Sequence, residues 1–204
     1  GAIQEALDET QAASRSGFLK KALFAGGGLA FGGVLLGGLP QLVTAAPSPS
    51  QDAAILNFAL LLEYLESTFY SEAVAGGALS GEPASFAKTV RDHEDAHVAY
   101  LKKALGSKAI AKPSFDFKGT TMDQTKFIAT SIALEDVGVG AYNGQGQNLT
   151  KPTLAAAATI VSVEARHAAW IRDIAAKLPA PDAFDPLFTK AQTTAKVKAT
   201  GFLK

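Results

Sequence analysis

Three residues in the stretch RDHEDAHVAY, residues 91–100, have the types and spacing of a metal site. His93, Glu94 and His97 form the pattern H-E-x-x-H, which on a helix places two histidines on one face. Such a pair can hold zinc while the glutamate acts as the general base of a metallopeptidase. One interpretation of the sequence is therefore a zinc peptidase, with Glu135 as a third ligand.

A second pattern, spread over most of the chain, competes with this interpretation. The sequence contains two L-E-x6-Y segments and two E-x-x-H segments, which alternate along the chain at Glu63/Tyr70, Glu94/His97, Glu135/Tyr142 and Glu164/His167. Self-similarity of this kind indicates a repeated supersecondary unit. The repeat therefore predicts two helical hairpins, each carrying one single glutamate and one Glu-x-x-His.

The glutamates of the repeat lie in strongly apolar sequence. Glu63 follows FALLL, Glu135 follows IAL, and Glu164 lies within AAAATIVSVEARHAAW. A buried carboxylate is costly unless it is paired or bound to a metal, so a shared metal site would explain all three. In Glu-x-x-His, both side chains lie on one helical face and can reach the same ion.

Four carboxylates and two imidazoles on four helices match the ligand set of dinuclear iron and manganese carboxylate sites, in which two carboxylates can bridge the ions. We therefore predict two iron ions, or manganese, per chain. The predicted ligands are Glu63, Glu94, His97, Glu135, Glu164 and His167. The chain has no cysteine, which excludes thiolate ligands and a cysteine nucleophile. Its Lys+Arg and Asp+Glu counts are both 19, a balance that argues against nucleic-acid binding.

Hydrophobic periodicity and turn residues predict an all-α fold from about residue 47 to residue 204. The predicted helices cover 53–77, 84–106, 121–145 and 152–178, and a short C-terminal helix runs from about 186 to 202. Sustained strand alternation is absent from the sequence. Four long helices with connections of mixed length favour a four-helix bundle.

The two matched motifs make the chain resemble the ferritin-like superfamily over roughly residues 50–178. It looks most similar to exported bacterial ferritin-like domain proteins, whose relatives include the desiccation-related proteins. This resemblance implies a central dinuclear site that reacts with O2 or peroxide. It also implies a catalytic role for Tyr70, because ferritin ferroxidase centres likewise have a tyrosine beside them, seven residues after the first-helix glutamate.

The N-terminal segment, residues 1–46, has the pattern of an export signal or a membrane anchor. Arg15, Lys20 and Lys21 precede the uncharged stretch 22–39, and small residues follow at 44–46. SRSGFLKK resembles a twin-arginine signal but has one arginine in place of two. The stretch is also long enough to span a bilayer, so membrane contact through residues 18–43 is an alternative to cleavage. We expect a protein outside the cytoplasm, periplasmic or at the cell surface.

Several neighbouring residues have alternative roles. Glu66 is interpreted as a residue beside the ligands or on the surface, with ligation as the alternative, because the second copy has Gly138 at the matching place. His93 has no counterpart in the second copy, and we expect it to lie behind the ligands or face solvent. Asp136 and Asp173 are candidates to orient the ligand histidines through their outer ring nitrogens.

Three functions follow from these patterns. The first is an oxidoreductase whose dinuclear centre oxidises Fe(II) or consumes peroxide. The second is the zinc peptidase, which leaves Glu63, Glu164 and His167 unexplained. The third is a non-catalytic bundle, structural or stress-protective and tethered to a membrane, that retains the metal for stability. A homo-oligomer is compatible with all three.

Overall fold

A computed structural model describes residues 46–204, and its regular structure consists of helices. The five α-helices are α1 (Pro49–Gly76), α2 (Gly81–Leu105), α3 (Gln124–Gly146), α4 (Lys151–Ile174) and α5 (Lys190–Thr200). Short 3-10 turns cover Gly106–Lys108 and Thr120–Met122. The apolar stretch predicted as a signal or anchor lies outside the described residues. In the part of the chain that is described, none of the helices combines the length and apolar character needed to cross a membrane.

Local capping chemistry sets the beginnings of the helices. The hydroxyl of Ser48 accepts a hydrogen bond from the backbone N–H of Gln51, and Pro49 occupies the first turn of α1. Asp123 caps α3 in the same way, by accepting from the N–H of Lys126 at 3.0 Å. The helix predicted from residue 121 therefore begins at Gln124, because Asp123 is extended and the residues before it form a 3-10 turn.

The ends of the last two helices also differ from the prediction. Helix α4 ends at Ile174 instead of residue 178, and Ala176 has a positive φ of 53°. A local turn ends the helix, in which the backbone N–H groups of Ala176 and Lys177 donate to the carbonyls of Asp173 and Arg172. Helix α5 begins at Lys190, where Thr189 and Gln192 form a capping box, four residues later than predicted.

The helices pack as two hairpins that face each other. The contacts are most extensive between α1 and α2 and between α3 and α4, and further contacts join α1 to α3 and α2 to α4. Residues 106–123 connect the hairpins. Five aromatic side chains pack at this side of the core, with ring centroids 5.2–6.5 Å apart: Phe69, Tyr70, Phe86, Phe117 and Phe127. These rings fix the position of Tyr70, which is fully buried.

Glycines on α3 allow the segment after α4 to pack directly on this helix. The backbone N–H of Phe188 donates a hydrogen bond of 2.8 Å to the carbonyl of Gly140. A Cβ at Gly144 would lie 1.9 Å from the carbonyl oxygen of Phe188, so a larger residue would displace the segment. The segment packs on one face of α3, and the central polar residues lie along a different face of this helix.

Candidate metal centre

Six polar side chains from four helices converge in the middle of the bundle. They form two groups whose ligand-type atoms lie within 4.8 Å of one another. The first group contains Glu63, Glu94, His97 and Glu164, and the second contains Glu94, Glu135, Glu164 and His167. These are the six residues that the sequence repeat predicts as ligands, and Glu94 and Glu164 belong to both groups.

The first group is arranged around Nδ1 of His97. This nitrogen lies 3.0 Å from Oε1 of Glu164, 3.2 Å from Oε2 of Glu94 and 3.4 Å from Oε2 of Glu63. The ring comes from α2, one helical turn after Glu94, so the Glu-x-x-His spacing places both side chains on the same face. His97 is the most exposed member, with 12% of its side chain accessible.

The second group is arranged around Nδ1 of His167 and repeats the first. The nitrogen lies 3.2 Å from Oε1 of Glu94, 3.4 Å from Oε2 of Glu135 and 3.8 Å from Oε2 of Glu164. Glu135 comes from α3, as Glu63 comes from α1. Each histidine is therefore associated with one glutamate of its own and with two that are shared.

The two shared carboxylates each turn one oxygen to each histidine. Oε2 of Glu94 faces His97 and Oε1 faces His167. Oε1 of Glu164 faces His97 and Oε2 faces His167. This is the arrangement of carboxylates that bridge two positions, and both side chains are fully buried.

Unsatisfied polar atoms test whether this donor set suits metal ions. Six buried atoms of the centre lack a hydrogen-bond partner in the described chain: Oε2 of Glu63, Oε1 of Glu94, Oε2 of Glu135, both carboxylate oxygens of Glu164 and Nδ1 of His167. Buried polar groups are rarely left unpaired, so the cluster needs an explanation. Carboxylate oxygens and imidazole nitrogens are suitable ligands for iron, manganese or zinc, and the residues present fit a pair of such ions.

The pKa shifts of the clustered side chains indicate that the centre favours positive charge among its carboxylates. Burial raises the pKa of Glu94, and the charges of Glu164 and Glu63 raise it further, well above its usual range. Burial lowers the pKa of His97, but hydrogen bonds to three carboxylates, Glu164 first, outweigh burial and raise it to about 12. The raised pKa of His97 favours its protonated form, which would place positive charge among these carboxylates as a metal ion would.

His167 and Glu164 show a similar opposition between burial and the charge of neighbouring groups. For His167, burial lowers the pKa, and the close carboxylates of Glu135, Glu164 and Glu94 raise it to about 12. For Glu164, burial raises the pKa, but the neighbouring imidazoles of His167 and His97 lower it to about 2. Both histidines thus favour the ionised form of Glu164.

Two buried tyrosines hold the carboxylates that are not shared. The hydroxyl of Tyr142 donates a hydrogen bond of 2.5 Å to Oε1 of Glu63, and the hydroxyl of Tyr70 donates to Oε1 of Glu135. In both carboxylates the bonded oxygen is Oε1, so Oε2 remains directed at the histidine. Tyr70 therefore contacts a candidate ligand, as the resemblance implied.

His93 contacts the rear of His167 and lies outside both groups. Its Nδ1 lies 2.8 Å from Nε2 of His167, and the two rings stack with centroids 5.1 Å apart. His93 is exposed on α2, so it links a buried histidine to the surface. In the described residues, His93 and His97 share no group of candidate ligands, so this geometry does not favour a zinc site built on the H-E-x-x-H pattern.

Asp136, one of the two aspartates considered as partners of the histidines, makes a different contact. Asp136 forms an ion pair with Arg172 across α3 and α4. His93 occupies the position behind His167 that Asp136 or Asp173 was expected to fill. This contact has no direct signal in the sequence, because the two histidines are 74 residues apart and only one belongs to the repeat.

Glu66 is buried beside the candidate ligands, which is one of the positions that the sequence left open for it. It is 3% exposed, and the pKa of its carboxyl is raised well above the usual range by burial and by the charges of Glu135, Glu164, Glu94 and Glu63. The alternative that Glu66 lies on the surface is therefore wrong. Gly138, whose presence in the second copy counted against Glu66, lies directly opposite it: a Cβ there would lie 3.3 Å from Oε1 of Glu66.

Comparison with known families is consistent with this geometry. The family model described as ferritin-like domain matches residues 51–177, which contain all six converging side chains. The chain belongs to the ferritin-like domain family. The family resemblance predicted from the repeat is thereby confirmed, together with the all-helical fold. No curated protein matches the chain.

Proposed function

We propose that this ferritin-like protein is a dinuclear metal carboxylate protein that oxidises Fe(II) or consumes peroxide. The observation that carries the proposal is the sharing of Glu94 and Glu164 between two otherwise separate groups. A single-ion site would not need two histidines that each face both shared carboxylates. Two iron or manganese ions, once bound, would supply paired one-electron steps between the +2 and +3 states, which O2 and peroxide reduction requires.

Each residue of the candidate centre has a defined role in this proposal. His97 and Glu63 would hold one ion, His167 and Glu135 the other, and the shared carboxylates would keep both close together. Tyr142 and Tyr70 restrain the unshared carboxylates through one oxygen and leave the second oxygen free to bind. We expect Tyr70 to influence the reaction because its hydroxyl positions Glu135 and lies close to the centre.

Burial determines what can reach the centre. Glu94, Glu135 and Glu164 are all 0% exposed, which excludes bulk water from these three carboxylates and strengthens their electrostatic interactions. The partly exposed side of the centre is at His97, with the exposed His93 nearby on the same helix. We propose that small species such as Fe(II), O2 or peroxide enter on this side.

The experiment that tests the proposal is aerobic addition of Fe(II) to the purified metal-free chain. Oxygen uptake and near-UV absorbance would be followed together, and a parallel sample would receive manganese followed by peroxide. Oxidation faster than that of Fe(II) in buffer, or loss of peroxide with evolution of O2, supports the proposal. Bound metal without turnover in either assay would instead support the non-catalytic, stress-protective bundle.

We also propose that the protein works outside the cytoplasm. Support comes from the sequence of residues 1–46, with its basic flank, apolar stretch and small-residue exit. Fractionation of cells that produce a C-terminally tagged chain tests the location, and the mass of the recovered protein tells a cleaved signal from a retained anchor.

A further inference from the structure

Glu66 is a fifth buried carboxylate beside the centre, in addition to the four in the two groups. It follows Glu63 by one turn on α1, so both side chains emerge on the same helical face. It is 3% exposed, comparable to the candidate ligands themselves. Glu66 is not a member of either group, so the fold buries a carboxylate that the usual four-carboxylate, two-histidine set does not require.

The position opposite Glu66 is open because residue 138 is glycine. A Cβ on Gly138 would lie 3.3 Å from Oε1 of Glu66 and 3.5 Å from Oε2 of Glu164. The first distance is tighter than an ordinary contact, so an alanine would press on Glu66 before Glu164. The oxygen of Glu164 at this point is the one directed at His167. Glu66 therefore lies on the Glu135–His167 side of the centre.

A count of charges shows what a fifth carboxylate would do. Four ionised carboxylates balance two divalent ions, and a fifth leaves one negative charge in excess. With two trivalent ions, four carboxylates leave two positive charges uncompensated, and a fifth reduces that excess to one. Uncompensated charge is expensive in a buried site, so the fifth carboxylate favours the trivalent state over the divalent state.

We propose that Glu66 is a fifth anionic partner of the centre, which favours trivalent over divalent metal at the Glu135–His167 position. The inference rests on the proposed dinuclear function and deepens it. It assigns a task to Gly138 as well, which is to leave room on α3 for the Glu66 carboxylate. Glu66 acts through its charge beside the shared Glu164, and the four-residue groups remain as they are.

The test compares Ga³⁺, a trivalent ion that does not change its oxidation state, with Mn²⁺ under anaerobic conditions. Affinities of the full-length, metal-free chain would be measured by chelator competition, with gallium supplied as its citrate complex. For an assumed separation of about 5 Å and an effective dielectric constant of about 20, removing one charge corresponds to roughly 300-fold in affinity for each unit of metal charge. Glu66→Gln should therefore lower the ratio of Ga³⁺ to Mn²⁺ affinity by roughly 300-fold.

Matched variants separate this effect from damage to the helix. Gly138→Ala, which presses on Glu66, should lower the ratio by a smaller factor. Gly146→Ala, on the same helix, adds a methyl group that meets the side chain of Leu154 at 3.5 Å and should leave the ratio unchanged. Glu66→Met removes the charge with an unbranched apolar side chain and repeats the test should Glu66→Gln fail to fold.

The outcomes separate the role of Glu66 from the proposed dinuclear function. A ratio within threefold of wild type in the folded Glu66 variant, while wild type binds two Mn²⁺ per chain, overturns the role of Glu66 and leaves the dinuclear site intact. An equal loss for Gly146→Ala and Gly138→Ala also overturns it. Failure of wild type to bind a pair of divalent ions would instead overturn the proposed function.

Discussion

The hydroxyl of Tyr142 on α3 donates a hydrogen bond of 2.5 Å to Oε1 of Glu63 on α1, and Tyr70 on α1 donates to Glu135 on α3. Each tyrosine thus holds the glutamate of the opposite hairpin. Since each glutamate precedes its own tyrosine by two turns, the exchange requires α1 and α3 to run antiparallel. The L-E-x6-Y repeat is therefore a pair of interlocked contacts between two hairpins.

Removing one tyrosine hydroxyl should weaken metal binding without unfolding the bundle. Residues that hydrogen-bond metal ligands typically contribute 10–100-fold in affinity or activity, so we expect a loss of about that size in Tyr142→Phe and in Tyr70→Phe. Titration calorimetry with Mn²⁺ measures the affinity. Tyr64→Phe is the matched control, because Tyr64 is equally buried but its hydroxyl points to the carbonyl of Ile110. Equal losses in all three variants would contradict the interpretation.

The shared and unshared carboxylates should differ in how many ions they control. Glu63→Gln removes a ligand from the His97 group alone, so about one ion per chain should remain at moderate metal concentration. Glu94→Gln removes one oxygen from each group and should weaken both ions together. Elemental analysis after dialysis gives the stoichiometry, and circular dichroism checks that both variants are helical. Retention of one tight ion in Glu94→Gln would refute the sharing.

The histidines of the H-E-x-x-H stretch should have unequal effects. His167→Ala and Glu135→Ala should each abolish dinuclear loading, because each removes a side chain from the second group. His93→Ala should leave loading largely intact at saturating metal, with a weaker affinity because Nε2 of His167 loses its partner. If His93→Ala removed the metal and His167→Ala did not, the peptidase interpretation would return.

The stability of the metal-free protein should fall as the pH rises above neutrality. His97 and His167 have pKa values raised to about 12 from 6.5, so their contribution is complete below pH 6.5 and is lost between pH 6.5 and 12. Each extra proton held by the folded state costs about 1.4 kcal/mol of unfolding free energy per pH unit. Glu94, whose pKa is raised, acts in the same direction, whereas the lowered pKa of Glu164 has its effect below pH 4.5.

Thermal melts at pH 6.5 and pH 8.5 measure this dependence, with and without Mn²⁺. The metal-free chain should melt at a lower temperature at the higher pH. Bound metal replaces the protons on the histidines, so the loaded protein should show a much smaller dependence, and metal affinity should rise with pH. A metal-free melting temperature that increases over this interval would contradict the assigned shifts.

The sequence predicted the central residues better than it predicted their surroundings. Glu94 and Glu164 were identifiable because two E-x-x-H motifs recur in register on apolar helices, where an unpaired carboxylate would be too costly. The contact between His93 and His167 was not predictable, since it joins two helices and one partner lies outside the repeat. Helix ends such as Ile174 depend on local turns that hydrophobic periodicity does not encode.

Glu66 lies outside the pattern that the two copies share. Because the second copy has Gly138 at the matching place, the repeat did not support Glu66 as a ligand. In three dimensions the difference is complementary: one helix supplies a carboxylate and the other supplies the space for it. The repeat in the sequence identified the residues that both halves of the centre have in common. The relationship between Glu66 and Gly138 could be recognised only from the positions of α1 and α3.

The most direct test of the account is the number of metal ions that wild-type protein holds after anaerobic loading with Fe(II) or Mn(II) and dialysis. Elemental analysis of the full-length chain should give about two ions per chain, as the two groups with shared carboxylates require. A single ion per chain, or a single zinc accompanied by peptide cleavage, would contradict the dinuclear centre.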